Sequence, residues 1–119
     1  MYTFINFNKI NDFEKMQVFV LRNNASVRKW MFNSENISWN QHNKFFEKLV
    51  NDKTKQYFYV ERNNLFIGVY SIINIKNSSG QGGFYISSEA VKKKLAVEFI
   101  FYSIKYIFQI KTTCRYYII

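Results

Sequence analysis

The sequence predicts an α+β protein in which a mainly antiparallel sheet is flanked by helices, and three observations predict it. Apolar residues recur at helical spacing between positions 12 and 50. Residues 56–86 then switch to runs dense in aromatic and branched side chains, separated by Asn- and Gly-containing turns. A second helical pattern follows before a short terminal run of strand composition. A three-stranded meander between two helical regions is the signature of helices packed on an antiparallel sheet.

Taken in order, residues 2–7 alternate aromatic and aliphatic side chains, the period of a half-buried strand. Asp12 is placed to cap a helix to about Arg22, with Phe13, Met16, Phe19 and Val20 as its buried face. Asn23 and Asn24 break it, and a short helix follows through Phe32. Ser38 is a natural N-cap for the next helix, whose apolar stripe is Phe45, Phe46, Leu49 and Val50. Residues 56–61 and 65–73 read as strands joined at Arg62-Asn63-Asn64, a hairpin signal. Asn77-Ser78-Ser79-Gly80 makes a second turn into a strand over 82–86. Ser87 or Ser88 opens a long helix to about Phe108 or Gln109, with Leu95, Phe99, Tyr102 and Tyr106 at helical spacing. Residues 112–119 read as a last strand. The order is β-α-α-α-β-β-β-α-β, and residues 1–119, without repeat or linker, are expected to form one domain.

Composition narrows the function classes. At 119 residues, with thirteen Phe and nine Tyr, the chain has enough apolar surface for one core. Proline is absent, against about 5% in an average chain, and with abundant Asn, Lys and Ile this reflects an AT-rich genome rather than a structural device. Seventeen Lys and Arg against eight Asp and Glu give a formal charge of +9, which favours an anionic partner such as a phosphorylated metabolite, a membrane surface or nucleic acid. The basic residues are scattered apart from Lys92-Lys93-Lys94. That pattern argues against nucleic acid and leaves a solvated surface or a phosphate-bearing ligand. The single cysteine, Cys114, excludes an internal disulfide and suits a reducing cytoplasm. One cysteine and one histidine, His42, cannot build a zinc site of three or four N/S ligands, so no metal is expected. No apolar run approaches about 18 residues and no signal-peptide pattern opens the chain, so the expectation is a cytoplasmic protein without a membrane partner.

The stretch from 21 to 49 is the densest in chemistry. Arg22 offers a planar fork of donors suited to phosphate or uracil oxygens, or simply closes its helix at the surface. His42, four residues after Ser38 in the N-terminal half of its helix, could donate to a diphosphate or be an ordinary half-exposed histidine. Met31, Phe32 and Phe45 read by themselves as core residues first, and alternatively as an apolar wall for a ligand.

The pieces Arg22-Asn23, Val27-Arg28-Lys29-Trp30-Met31-Phe32, Ser38-x-x-x-His42-x-x-Phe45, Tyr57-Phe58-Tyr59-Val60, Ile67-Gly68-Val69 and Gly83-Phe84-Tyr85 occur in an order and spacing that resembles the GNAT-type N-acetyltransferases. The resemblance lies within the branch that acetylates the 4-amino group of UDP-linked 4-amino-4,6-dideoxy sugars in pseudaminic-acid biosynthesis for flagellin glycosylation. It implies a GNAT-like acyl-CoA N-acyltransferase fold, acetyl-CoA as co-substrate and a nucleotide-sugar substrate. It also implies a substrate pocket built by Arg22, Met31, Phe32, His42, Phe45 and Tyr85. Phe84, Tyr85 and Ile86 fall on the strand that pairs with the pantetheine arm in that family. The pyrophosphate loop aligns with residues 91–96, which brings in Lys92, Lys93, Lys94 and Ala96. Only Ala96 fits its pattern, and Lys94 stands where the central glycine belongs.

Against that family the chain looks incomplete at its C-terminus, lacking the last helix and strands and with them the tyrosine that commonly protonates the departing thiolate. Tyr116 and Tyr117 fall too early for that role. No catalytic residue can therefore be assigned from the resemblance, and slow turnover is expected. Apolar surface around Phe99, Tyr102 and Tyr106 would be left uncovered, inviting self-association. The competing reading is a non-catalytic remnant, or a small basic nucleotide- or nucleic-acid-binding module.

Overall fold

The computed structural model describes residues 1–29, 31, 34–77, 79–110 and 115–118, with Ile110 and the last four by backbone only. Strands β1 (Tyr2–Asn6), β2 (Gln56–Arg62), β3 (Leu65–Lys76), β4 (Ser79–Ile86) and β5 (Arg115–Ile118) form one sheet in that spatial order. The first three pairings are antiparallel and β4–β5 is parallel. Helices α1 (Asp12–Asn23), α2 (Ala25–Arg28) and α3 (Trp39–Leu49) lie between β1 and β2 in the chain, and α4 (Ser88–Lys92) and α5 (Ala96–Ile110) between β4 and β5. This is the α+β arrangement the pattern predicts.

Local chemistry sets the element ends. Asn11, one residue before the expected cap, accepts from the Glu14 amide at 2.8 Å, while the Glu14 carboxylate takes the Asn11 amide at 2.9 Å. Ser38 and Gln41 repeat this capping box at α3. Asn63 and Asn64 adopt φ of 51° and 68°, so Arg62 pairs directly with Leu65 through a two-residue hairpin with both central residues left-handed. A register shift opposite Val60 and Glu61 inserts an extra residue at Ile67. That bulge resets the alternation, so Ile67, Tyr70 and Ile72 all reach the same face.

The two faces of the sheet carry separate cores. On one, Phe58, Val60, Tyr70, Ile72 and Ile86 pack with Ala90, Phe99 and Ile107. On the other, Tyr59 and Val69 pack with Phe7, Ile10, Val18, Phe46 and Leu49. Tyr102 and Tyr106 stack on Tyr2 and Phe4 of the edge strand at centroid separations of 4.8 and 4.5 Å. Beside them Glu98 accepts from Arg62 Nε at 2.8 Å and from the Tyr2 hydroxyl at 3.0 Å, tying the start of α5 to the β1–β2 edge.

Several expectations need correction. Most of the apolar face assigned to α1 points outward: Phe13, Met16 and Val20 are 70%, 53% and 61% exposed, while Val18 and Leu21 are buried. Of the assigned residues, Phe19 is half-buried against Trp39 and His42. The inward side of α1 must also supply Gln17, which accepts from the hydroxyl of buried Tyr59, so polar residues occupy positions that counting hydrophobes would give to the core. On α3, Val50 is exposed and His42 takes an inward place. The single long helix after Ser88 is two helices, parted at 93–95, where Lys94 has φ 59°. Phe99 is buried, so the outer apolar residues of α5 are Val97, Phe101 and Phe108, with Tyr102 partly exposed. Phe32 and Cys114 lie outside the described residues.

The tightest backbone approach in the sheet sits at Gly68. A Cβ there would stand 2.5 Å from the Tyr85 carbonyl oxygen and 3.0 Å from the Ile86 Cα, contacts that only movement of β4 could relieve. Gly68→Ala is expected to lower stability by about 1–3 kcal/mol, read from the shift in urea midpoint.

Candidate functional site

The site grows from an incompletely paired strand. β3 accompanies β4 from Ser79 to Ile86, whereas β5 pairs only with residues 79–82. Beyond Gly82, no described strand covers the outer edge of β4. The Ser87 amide donates to the Ile67 carbonyl at 2.9 Å. Antiparallel main-chain groups alternate sides, so Tyr85 bonds toward Val69 while Phe84 and Ile86 turn their N–H and C=O groups to the open edge.

A cleft of about 610 Å³ lies along this edge, lined by Phe84, Tyr85, Ile86, Ser88, Val91, Lys92 and Ala96 and, across from them, Ser26, Val27, Lys29 and Met31. The first intrahelical bond of α5 runs from the Phe99 amide to the Leu95 carbonyl at 2.8 Å. The amides of residues 96–98 are therefore that helix's end donors, and Leu95 has no side-chain acceptor to cap them. Of the cofactor residues expected, Phe84, Tyr85, Ile86, Lys92 and Ala96 line the cleft. Lys93 and Lys94 do not: Lys93 faces Glu89 at 3.7 Å on the solvent side, and Lys94 forms the exposed kink between α4 and α5. Lys94, which stands where the resemblance places a glycine, has a left-handed backbone with φ 59°.

A second, inner cavity of about 220 Å³ shares Met31 and Tyr85 with the cleft. Arg22 and Val18 of α1, Gln41, His42 and Phe45 of α3, Tyr57 of β2 and Ile37 complete its wall with Phe7. Of the six substrate residues expected, Arg22, Met31, His42, Phe45 and Tyr85 meet here, drawn from two helices, a loop and a strand. The loop that carries Met31 is held at both ends. The Asn23 side chain donates to the Ile37 carbonyl at 2.9 Å and accepts its amide at 2.8 Å. Arg28 donates to the Asn23 carbonyl at 2.9 Å and the Ser34 carbonyl at 3.2 Å. Asn23, read from sequence only as a turn residue, is thus the clasp of the cavity.

The cavity's electrostatics are one-sided. Burial, reinforced by Tyr57, holds the Tyr85 phenol far above its ordinary range, with Arg22 pulling the other way. Burial, aided by Asp52, raises Tyr57 too. Both phenols are therefore neutral near pH 7, and the lining contains no carboxylate. His42 is 3% exposed, walled by Phe19, Trp39 and Phe46. Its Nε2 lies 2.9 Å from the Lys15 carbonyl, and because a carbonyl can only accept, Nε2 carries the hydrogen. Burial lowers its pKa below the ordinary 6.5; the bond to the Lys15 carbonyl opposes that and the Lys15 charge adds to it. His42 is a neutral wall residue whose Nε2 proton is already given to α1, not a half-exposed donor. Among the described residues of the lining, Arg22 then carries the one formal charge.

Tyr57, Gln41 and Ile37 were not singled out from sequence. Tyr57 stacks on Phe7 and meets Phe45 edge-on, which reads in sequence as ordinary strand aromaticity. No group of His, Cys, Asp and Glu that could hold a metal occurs among the described residues, and no helix among them is long and apolar enough to cross a membrane.

No protein-family profile matches the chain. It is 32% identical over 80 residues to the acetyltransferase PseH of Campylobacter jejuni serotype O:23/36, covering 67% of this chain and 50% of that protein. The PseH of C. jejuni serotype O:2 is 31% identical with the same coverage. The chain spans about half the length of these curated relatives. Among solved structures, C. jejuni N-acetyltransferase PseH in complex with acetyl coenzyme A matches with a TM-score of 0.61 and 28% identity, over 87% of this chain and 67% of that one. Spermidine N-acetyltransferase from Vibrio cholerae, in complex with CoA and spermine, matches with a TM-score of 0.78 and 21% identity, over 92% and 64%; at that identity the likeness is one of fold.

Two predictions follow from this geometry. Because the folded pKa of His42 is lowered, the stability it contributes is complete above about pH 6.5 and is lost as pH falls through and below that value. Urea midpoints at pH 7.5 and 5.5 are expected to show that loss in the wild type and less of it in His42→Gln. Lys94→Gly, which relieves a left-handed lysine at a small cost in chain entropy, is expected to leave stability unchanged or raised by up to about 1 kcal/mol, measured the same way.

Proposed function

Since the chain belongs to the GNAT family of acetyltransferases, we propose that it transfers an acetyl group from acetyl-CoA to the 4-amino group of a UDP-linked 4-amino-4,6-dideoxy sugar, the acceptor of pseudaminic-acid biosynthesis. The observation that carries this reading is the inner cavity. It adjoins the open edge of β4 at Met31 and Tyr85 and holds one cation and no carboxylate. A polycationic acceptor such as a polyamine would meet Arg22 with like charge and find nothing acidic to neutralise it. An acceptor whose amine rides on an anionic nucleotide suits the same cavity.

Size supports the division of the substrate. At about 220 Å³ the cavity is smaller than the roughly 300–1,000 Å³ of sites that enclose drug-sized ligands, so it takes the amine-bearing ring with the phosphate next to it and leaves uracil outside. Phe45 and Met31 offer apolar contact to a deoxysugar methyl, with Phe32 as a further candidate. Tyr85 and the His42 ring close the wall, and Arg22 supplies the fork for an acceptor oxygen anion.

The cleft fits the acyl donor by three features of its own residues. The Phe84 and Ile86 main-chain groups can take an extended amide chain as an added strand. The end amides of α5 at Ala96, with Lys92 beside them, suit a pyrophosphate. A β4 amide can face the developing oxyanion. The donor supplies the activated acetyl group. Lys94 brings a side chain where the family's phosphate loop has none, so its backbone cannot approach phosphate as a glycine would.

Binding tests this reading without depending on turnover. The UDP-4-amino sugar should compete for the protein where spermidine does not, and Arg22→Ala should weaken its binding by about 1.5–3 kcal/mol. Transfer to the sugar nucleotide should exceed transfer to spermidine. Unchanged affinity in Arg22→Ala, or preference for the polyamine, would overturn the assignment.

A further inference from the structure

We propose that His42 is the proton acceptor of the transfer reaction, its Nδ1 lone pair taking the proton from the acceptor's ammonium group in the inner cavity; this rests on the acetyltransferase reading. The geometry leaves few candidates. The titratable or charged groups that face the imidazole are Lys15 and Arg22 on α1, Tyr57 on β2 and Tyr85 on β4. Arg22 is permanently charged, and the two phenols already hold their protons with burial opposing their ionisation. Lys15 contributes its carbonyl to Nε2, and its ammonium lies 5.3 Å from the Phe46 ring centroid. Gln41 has no basic nitrogen, and its carbonyl oxygen already accepts the Ser38 amide at 2.8 Å. Among the described residues, His42 alone combines a place in the cavity wall with a neutral, unprotonated nitrogen.

The bond to Lys15 makes this possible. By fixing the hydrogen on Nε2, it leaves the lone pair on Nδ1, and it steadies the imidazolium once formed, because Nε2–H donates more strongly from a charged ring. Arg22, sharing the cavity, disfavours an ammonium beside it and so favours release of the proton. The balance is complete. The ammonium proton passes to Nδ1 and from there to water. The freed nitrogen lone pair forms the N–C bond, the C–S bond of the thioester breaks, and the second nitrogen proton ends on the thiol sulfur. Neither the composition nor the family resemblance assigns this role: the helix position reads as that of a diphosphate donor, and the resemblance implies only a place in the substrate pocket.

The test has two arms. Being the chain's one histidine, His42 gives a single imidazole signal in ¹⁵N NMR. The UDP-4-amino sugar is expected to shift its Nδ1 resonance, and the matching 4-hydroxy sugar nucleotide is not. Equal shifts from both, or none from the amine, overturn the proposal. In acetyl transfer, His42→Gln, which keeps a donor for the Lys15 carbonyl, is expected to lower kcat roughly 100-fold or more with KM within a few-fold. It should also abolish the acidic limb of the kcat–pH profile. A variant with wild-type kcat, with its loss confined to KM, or with the acidic limb intact, sinks the base assignment and leaves the acetyltransferase reading standing. Absence of transfer by the wild type would count against that reading instead, with the NMR arm still deciding His42. If the variant fails to fold, the wild-type kcat–pH profile decides with the NMR arm: an acidic limb at the pKa read from the imidazole signal is expected, and its absence overturns the proposal.

Discussion

The unequal pairing of β4 is the constraint from which the site follows. One edge is saturated by β3 for the whole strand, held close by the missing side chain at Gly68, while the other is met by β5 for only its first half. Main-chain groups left without a strand partner must find water or a ligand, and here they border a cleft. The same strand divides its side chains between the two cores. Ile86 anchors in the layer under α5 and Phe84 packs against it, while Tyr85 faces the α1–α3 layer. Tyr85 thereby lines both the cleft and the inner cavity, as Met31 does. Displacing β4 would disturb both at once.

Charge in the inner cavity is economical. The two phenols and the imidazole are kept neutral by the burial that also puts them in the wall, so the field is set by Arg22. A chain of formal charge +9 can draw anionic nucleotides from a distance, but that attraction is shared by every basic surface. Inside, the described lining places the Arg22 guanidinium among neutral groups, a local feature that the overall charge does not convey. The clasp formed by Asn23 and Arg28 ties the ends of α1 and α2 to Ser34 and Ile37 through hydrogen bonds to main-chain atoms.

Two departures from simple pattern reading share a cause. α1 shows Phe13, Met16 and Val20 to solvent because its inward face is committed to Gln17 and the Lys15 carbonyl, which accept from Tyr59 and His42, and to Arg22 in the cavity wall. The helix after β4 breaks at Lys94 although no glycine or proline marks the place. Leu95 reaches back to bond the Ala90 carbonyl at 3.1 Å, and the packing of Leu95, Ala96 and Phe99 on the sheet core fixes the new helix direction. In both places a tertiary demand outweighs local propensity.

From sequence alone came the α+β class, the order of elements, the hairpin at Asn63-Asn64, the cap at Ser38 and the family. These rest on turn chemistry, capping side chains and periodicity, which act over a few neighbouring residues and leave local marks. The residues expected around the acceptor were also named, because their order and spacing resembled a known pattern. Tertiary structure alone decided the rest. It parted one helix into two and turned α1 around. It made β5 parallel to β4, left Lys93 and Lys94 out of the cleft lining, and brought Tyr57 and Asn23 into the site. It also committed the Nε2 proton of His42 to a carbonyl 27 residues away in the chain. Each of these depends on which group meets a side chain across the core, and contacts between distant positions leave no local pattern to read.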